Sequence, residues 1–149
     1  TLGQQMAFRN ELDDVIAVAR QNERIDDPVI RQRLADAHAG LEIMRWNTLR
    51  VLSGPEGSAP PPATMITKLY WANWHRSLGE LAMDVLGAEA TLADQTVAPG
   101  HGYELTAAQR LFLFTRSDTI YAGSNQIQRN IIGERALGLP PEPKVAPAS

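Results

Sequence analysis

The stretch Asp27–Leu52, DPVIRQRLADAHAGLEIMRWNTLRVL, decides the fold class. Apolar residues recur at Ile30, Leu34, Ala37, Leu41 and Met44, in steps of four, three, four and three. That spacing lines one face of a helix. The start is equally legible. Asp27 can accept hydrogen bonds from backbone N–H groups that have no partner in the first turn. Pro28 suits the first helical position, where its missing N–H costs nothing. The pattern carries through Thr48 to Val51 and Leu52.

Working outward, Leu2 to Arg20 reads as a first helix, with Met6, Leu12, Ile16 and Ala19 near helical spacing and Asp13 and Asp14 facing solvent or a partner chain. Asn22 to Asp27 is polar and breaks it. Ser53 to Pro62 is a loop, because Gly54, Pro55, Gly57, Pro60, Pro61 and Pro62 stop any helix. A third helix spans about Ala63 to Leu86, with Ile66, Leu69, Trp74, Leu78, Leu81, Ala82 and Val85 on a broad apolar face and Gly87 as its stop. Loop occupies most of Ala88 to Thr106. Thr106 caps a fourth helix, Ala107 to Asp118, Gly123 interrupts it, and Ser124 or Asn125 caps a last helix, Gln126 to Ala136. The expected fold is all-α: an antiparallel four-helix bundle over residues 1–139, its last helix broken, with an extended or disordered proline-rich tail over 140–149.

The totals narrow the function classes. The chain has 149 residues, enough for one domain, and 44% are hydrophobic, enough for a core. A net charge of −3 with dispersed basic residues gives no nucleic-acid footprint. There is no cysteine, and His38, His75 and His101 lack metal-ligand spacing, so no metal site is expected. No apolar run is long enough for a membrane helix. The opening at Thr1, straight into a helical pattern, predicts a piece of a longer, cytoplasmic protein.

No phosphate loop, nucleophile elbow or paired-histidine motif is present. The most unusual text is Tyr121-Ala122-Gly123-Ser124-Asn125-Gln126-Ile127-Gln128-Arg129. It reads either as a capped turn between helices or as a polar ligand site built from Ser124, Gln126 and free N–H groups. Trp46, Trp71 and Trp74 read as core or interface residues rather than stacking platforms. His75 reads as a partly exposed helix residue, and Arg129 and Arg135 as solvated or paired with Glu134 or a neighbouring subunit.

The run from Ile120 to Pro140 resembles the C-terminal signature of acyl-CoA dehydrogenases: Tyr-x-Gly-Thr/Ser-x-x-Ile-Gln-Arg, an apolar helical turn, then Gly-Leu-Pro. Lys68-Leu69-Tyr70, followed by Leu81 to Gly87, is similar to the family's third-helix pattern. The resemblance implies a bundle that in full-length members follows a helical and a β-domain, assembles dimers or tetramers with a homologous acyl-CoA dehydrogenase subunit, and holds FAD across a subunit contact. It places Gly123, Ser124 and Gln126 at FAD, Arg20 near the FAD pyrophosphate of a neighbouring subunit, and Tyr121 beside the thioester of an acyl-CoA substrate. Arg20 is followed by Asn22-Glu23-Arg24 where the family has an aromatic-glycine pair. An electron-transferring flavoprotein is the implied acceptor.

The departures matter more. Family chemistry needs a carboxylate to take the proton α to the thioester. One family position for it, after the motif tyrosine, is Ala122 here. The other lies in a Leu-x-x-Glu-Arg segment of the first helix. It reads Leu2-Gly3-Gln4-Gln5-Met6, which puts Gln5 at the base position. Neither methyl nor amide is a useful base. The family's Gln-x-x-Gly-Gly near the flavin reads Asp84-Val85-Leu86-Gly87-Ala88. The expectation is a C-terminal domain, inactive by itself, from a subunit without its own base in a heteromeric enzyme. The alternatives are an active homomeric dehydrogenase with an upstream base, and a flavin-free helical interaction module.

Overall fold

A computed structural model of the chain describes residues 2–55, 61–92, 104–141 and 143. Five α-helices account for most of it: α1 Leu2–Gln21, α2 Pro28–Leu52, α3 Ile66–Leu86, α4 Ala107–Asp118 and α5 Asn125–Ile131. No strand occurs among the described residues.

The ends follow local chemistry. Asp27 accepts from the N–H groups of Val29 at 2.9 Å and Ile30 at 3.3 Å, starting α2 as expected. Thr106 and Gln109 form a reciprocal capping box at α4. Gly87 ends α3 with φ 64°. Three boundaries differ from the sequence reading. The third helix becomes α only at Ile66, because Pro62–Met65 forms a 3₁₀ turn in which the Thr64 N–H and hydroxyl both return to the Pro61 carbonyl. The chain stays helical past Gly87, as a 3₁₀ turn over Gly87–Thr91. The last helix starts at Asn125 and widens into a π turn at Ile132–Ala136, closed by the Leu137 N–H on the Ile132 carbonyl at 3.1 Å. Parts of both expected loops, 56–60 and 93–103, lie outside the described residues, as do 142 and 144–149 of the tail; Pro140, Pro141 and Pro143 are exposed and without regular structure.

Cross-helix contacts fix the topology. Gln5 meets Thr48 and Arg9 pairs with Glu42, so α1 and α2 run antiparallel. Trp74 donates to the Ala37 carbonyl at 2.9 Å and Tyr70 to the Gly40 carbonyl at 3.3 Å, so α2 and α3 do too. Phe8 packs against Trp71 and Trp74 while Asn22 reaches the Val85 carbonyl, so α1 and α3 are parallel. Gln109 reaches the Ala90 carbonyl just after α3, Arg116 reaches Glu80 and Asp118 meets His75, which sets α4 antiparallel to α3.

The core gathers Ile30, Leu34, Leu41 and Met44 of α2 with Leu78, Leu81, Ala82 and Val85 of α3. From α1 it takes Phe8, Leu12, Val15 and Ala19, spaced four, three and four. This corrects the expected α1 stripe. Met6 falls off that face and is 71% exposed, and Ile16 only flanks it. Two helical glycines permit close packing. A Cβ on Gly40 would stand 2.6 Å from Trp74 Cδ1, and one on Gly79 would meet Thr115 and the Phe112 backbone.

Candidate functional site at the Tyr121 turn

The segment after α4 turns sharply. Ala122 sits in the left-handed region at φ 52°, and Gly123 follows at φ 95°. Ser124 then caps α5 by accepting from the Ile127 N–H. Two amides fasten the turn: Gln128 donates to the Ala122 carbonyl at 3.1 Å, and Asn125 donates to Asn73 of α3 at 2.8 Å. A Cβ on Gly123 would stand 2.7 Å from Gln128 Nε2, and its φ of 95° would strain any side chain.

Tyr121 packs its ring on Trp71, centroids 6.4 Å apart. The Lys68 ammonium lies 4.8 Å from the Trp71 ring centroid and 5.1 Å from that of Tyr121. It also donates to the Asp118 carbonyl at the end of α4. Burial lowers the Lys68 pKa, opposed by the Asp118 carboxylate. Burial raises that of Tyr121, and Asp118 adds to the effect.

Beneath this turn lies a cluster that the sequence reading missed. Asp118 is 0% exposed. Its Oδ2 meets His75 Nδ1 at 2.7 Å, and His75 Nε2 meets Glu11 Oε2 at 2.8 Å. His75 is therefore not a partly exposed helix residue; it is 3% exposed, bridging carboxylates on α1 and α4. Three residues far apart in sequence carry no local signal of this.

The two expected base positions differ in setting. Ala122 is exposed. Gln5 faces a cavity of about 220 Å³ that Phe8, Met44, Thr48, Tyr70 and Trp71 also line. Gln5 Nε2 donates to Thr48 Oγ1 at 2.7 Å and to the Met44 carbonyl at 3.3 Å. Trp71 therefore stands between the Gln5 cavity and the Tyr121 ring, and both positions lie at one end of the bundle.

Gln126 is exposed on the first turn of α5, beside half-buried Ser124. A hydroxyl, a side-chain amide and an open glycine backbone suit the polar edge of a nucleotide cofactor. Arg20 does not join them. It is exposed in the last turn of α1, two residues before Asn22, which reaches the Val85 carbonyl, and α3 carries Val85 about 21 Å along its axis from Trp71. One chain cannot bring Arg20 to its own Tyr121 turn. Arg129 and Arg135 are exposed. Trp71 and Trp74 pack against the core, whereas Trp46 is 64% exposed and not a core residue. Among the described residues no group of His, Asp or Glu is arranged to hold a metal ion, and no helix is long and apolar enough to cross a membrane.

The family profile described as "Acyl-CoA dehydrogenase, C-terminal domain" matches residues 1–137. Over 144 residues the chain is 51% identical to acyl-CoA dehydrogenase IpdE1 of Mycobacterium tuberculosis strain H37Rv, covering 97% of this chain and 35% of that protein. The fold matches a chain of the Tcur3481-Tcur3483 steroid ACAD with a TM-score of 0.69 at 25% identity, covering 91% of this chain and 35% of that one. It also matches a chain of the ChsE4-ChsE5 complex from Mycobacterium tuberculosis, with a TM-score of 0.61 at 25% identity, covering 87% and 36%. The chain thus spans about a third of the length of these relatives.

Proposed function

The chain belongs to the acyl-CoA dehydrogenase family, whose C-terminal domain it spans, and we propose that it comes from a subunit that supports α,β-dehydrogenation of an acyl-CoA thioester without supplying the catalytic base. The full-length protein then works beside a homologous, base-bearing subunit in a heteromeric enzyme. The observation that carries this is the state of the two base positions: a methyl group at Ala122, and at Gln5 an amide committed to Thr48 and Met44. The two-protein names of the ChsE4-ChsE5 complex and the Tcur3481-Tcur3483 steroid ACAD support the heteromer, and the latter points to a steroid-derived acyl group.

Bound FAD supplies the electron acceptor for such a reaction. In this reading Gly123, Ser124 and Gln126 contact FAD, Arg20 reaches the pyrophosphate held by a neighbouring subunit, and Tyr121 lies on the thioester side. The Arg20 separation supports a cofactor shared between two chains, since one chain presents the two contacts at opposite ends. A cytoplasmic location and an electron-transferring flavoprotein acceptor complete the proposal.

The test is the full-length protein purified alone and coexpressed with a related base-bearing subunit. Flavin absorbance and dehydrogenation of a steroid acyl-CoA are measured for each. FAD and turnover should require the pair. Robust turnover by the lone homomer would overturn the reading.

A further inference from the structure

We infer that Lys68, Asp118, His75 and Glu11 form a positioning cluster that holds the Tyr121–Gln126 turn where it meets FAD. The inference rests on the FAD contacts proposed for Ser124 and Gln126.

Asp118 is the last residue of α4, and the turn begins directly after it. It is gripped twice. Lys68 takes its backbone carbonyl, and His75 takes its carboxylate at 2.7 Å. His75 passes the restraint to Glu11 on α1 at 2.8 Å. The start of the turn is therefore fixed against both α3 and α1. Lys68 adds a second hold by lying between the Trp71 and Tyr121 rings.

His75 and Asp118 are buried, while Glu11 and Lys68 are partly exposed. The His75 ring meets a carboxyl group at each nitrogen, so the cluster places polar groups at the centre of the helix packing. Such clusters are a poor way to gain stability, because apolar side chains of similar volume avoid the desolvation they cost. Asp118 Oδ1 is buried with no hydrogen-bond partner within normal distance among the described residues, with the Tyr121 side chain as its neighbour across the turn. What the cluster supplies is direction: it aims one short segment.

The experiment uses the full-length protein assembled with its partner subunit and stripped of FAD. Hydrogen exchange of residues 119–126 and the Kd for added FAD are measured for Lys68→Met, Lys68→Arg, His75→Gln and, as a control, Gln126→Ala. Lys68→Met should raise exchange in 119–126 and weaken FAD, each by roughly tenfold, with α2 exchange unchanged, and Lys68→Arg should recover most of both. His75→Gln should act in the same direction. Lys68 is only half-buried, so its variants test the inference even if the His75 variant fails to fold. If Gln126→Ala weakens FAD while Lys68→Met changes neither exchange nor Kd, the inference is overturned and the FAD reading stands. If Gln126→Ala leaves the Kd unchanged, the FAD contact itself fails, and the inference falls with it.

Discussion

Gln5 Nε2 donates to Thr48 Oγ1 across 2.7 Å, and Thr48 passes its own proton to the Met44 carbonyl at 3.0 Å. In this arrangement Thr48 accepts from residue 5. The second partner of Gln5, the Met44 carbonyl, can only accept. The Gln5 amide N–H meets both acceptors, while its carbonyl oxygen has no partner among the described residues; a carboxylate there would lose the donor and could be met only if Thr48 turned its hydroxyl away from Met44. Gln5→Glu should lower stability by about 1–3 kcal/mol at neutral pH and give no turnover. The deficit should shrink in acid, where a protonated carboxyl can donate one hydrogen bond. Urea unfolding across pH, with an activity assay on the assembled pair whose partner subunit has lost its own base, checks both. Undiminished stability with new turnover would refute the argument.

Ala122 offers the opposite case. It is exposed, so a longer side chain meets no packing cost, and its left-handed φ of 52° already strains any residue with a Cβ. Ala122→Glu should change stability by less than about 0.5 kcal/mol. In the assembled pair, with the partner subunit's own base removed, it should produce dehydrogenation above the background of the same pair carrying Ala122. Ala122→Gly relieves the strain and should stabilise by up to about 1 kcal/mol, the handedness penalty less the entropy glycine loses on folding.

The helices and their caps were legible because each depends on a few neighbouring residues. Asp27-Pro28 and Thr106 declared their helix starts, and the Ile30-to-Met44 spacing declared its buried face. The turn at Gly123 and its Ser124 cap were legible for the same reason. What escaped was tertiary. Met6 and Phe8 are both apolar and two residues apart, and Phe8, not Met6, lies on the face with Leu12, Val15 and Ala19 that packs against α3. His75 gave no sign of burial because its partners lie 64 residues upstream and 43 downstream. The base positions were legible only through family resemblance; the structure adds that Gln5 is held by its neighbours.

Gly40 and Gly79 set how closely α3 approaches its neighbours. At Gly40 the obstacle is Trp74, whose Nε1 is tied to the Ala37 carbonyl and cannot swing away without losing that bond. At Gly79 part of the obstacle is the Phe112 backbone at 3.1 Å. Gly40→Ala and Gly79→Ala should each cost about 1–3 kcal/mol by overpacking. Gly3, also helical, has nothing within 4 Å of its would-be Cβ. Gly3→Ala should therefore stabilise by about 0.5–1 kcal/mol, from helix propensity alone. Thermal unfolding of the three variants gives the signs directly, and a destabilised Gly3→Ala would contradict the account.

Glu80 supplies the acid-sensitive contact between α3 and α4. Arg116 donates to its carboxylate at 2.7 Å and Arg76 at 3.3 Å. The Arg116 hydrogen bond is the main reason its pKa lies below the ordinary glutamate value, with burial opposing. The folded-state value is lowered, so folding favours the ionised form. The resulting stability is fully present above the unfolded value, near pH 4.5, and is lost as pH falls through the lower folded value. The side chain is 42% exposed, so solvent limits the pair to about 0.2–1 kcal/mol. Glu80→Gln should cost that much at pH 7, and the gap should close in acid as pH falls below 4.5 and through the lowered folded value, and narrow in high salt. Denaturant unfolding of both proteins from pH 7 to pH 3 measures the gap. A difference that stayed constant into acid would mean Glu80 acts through packing rather than charge.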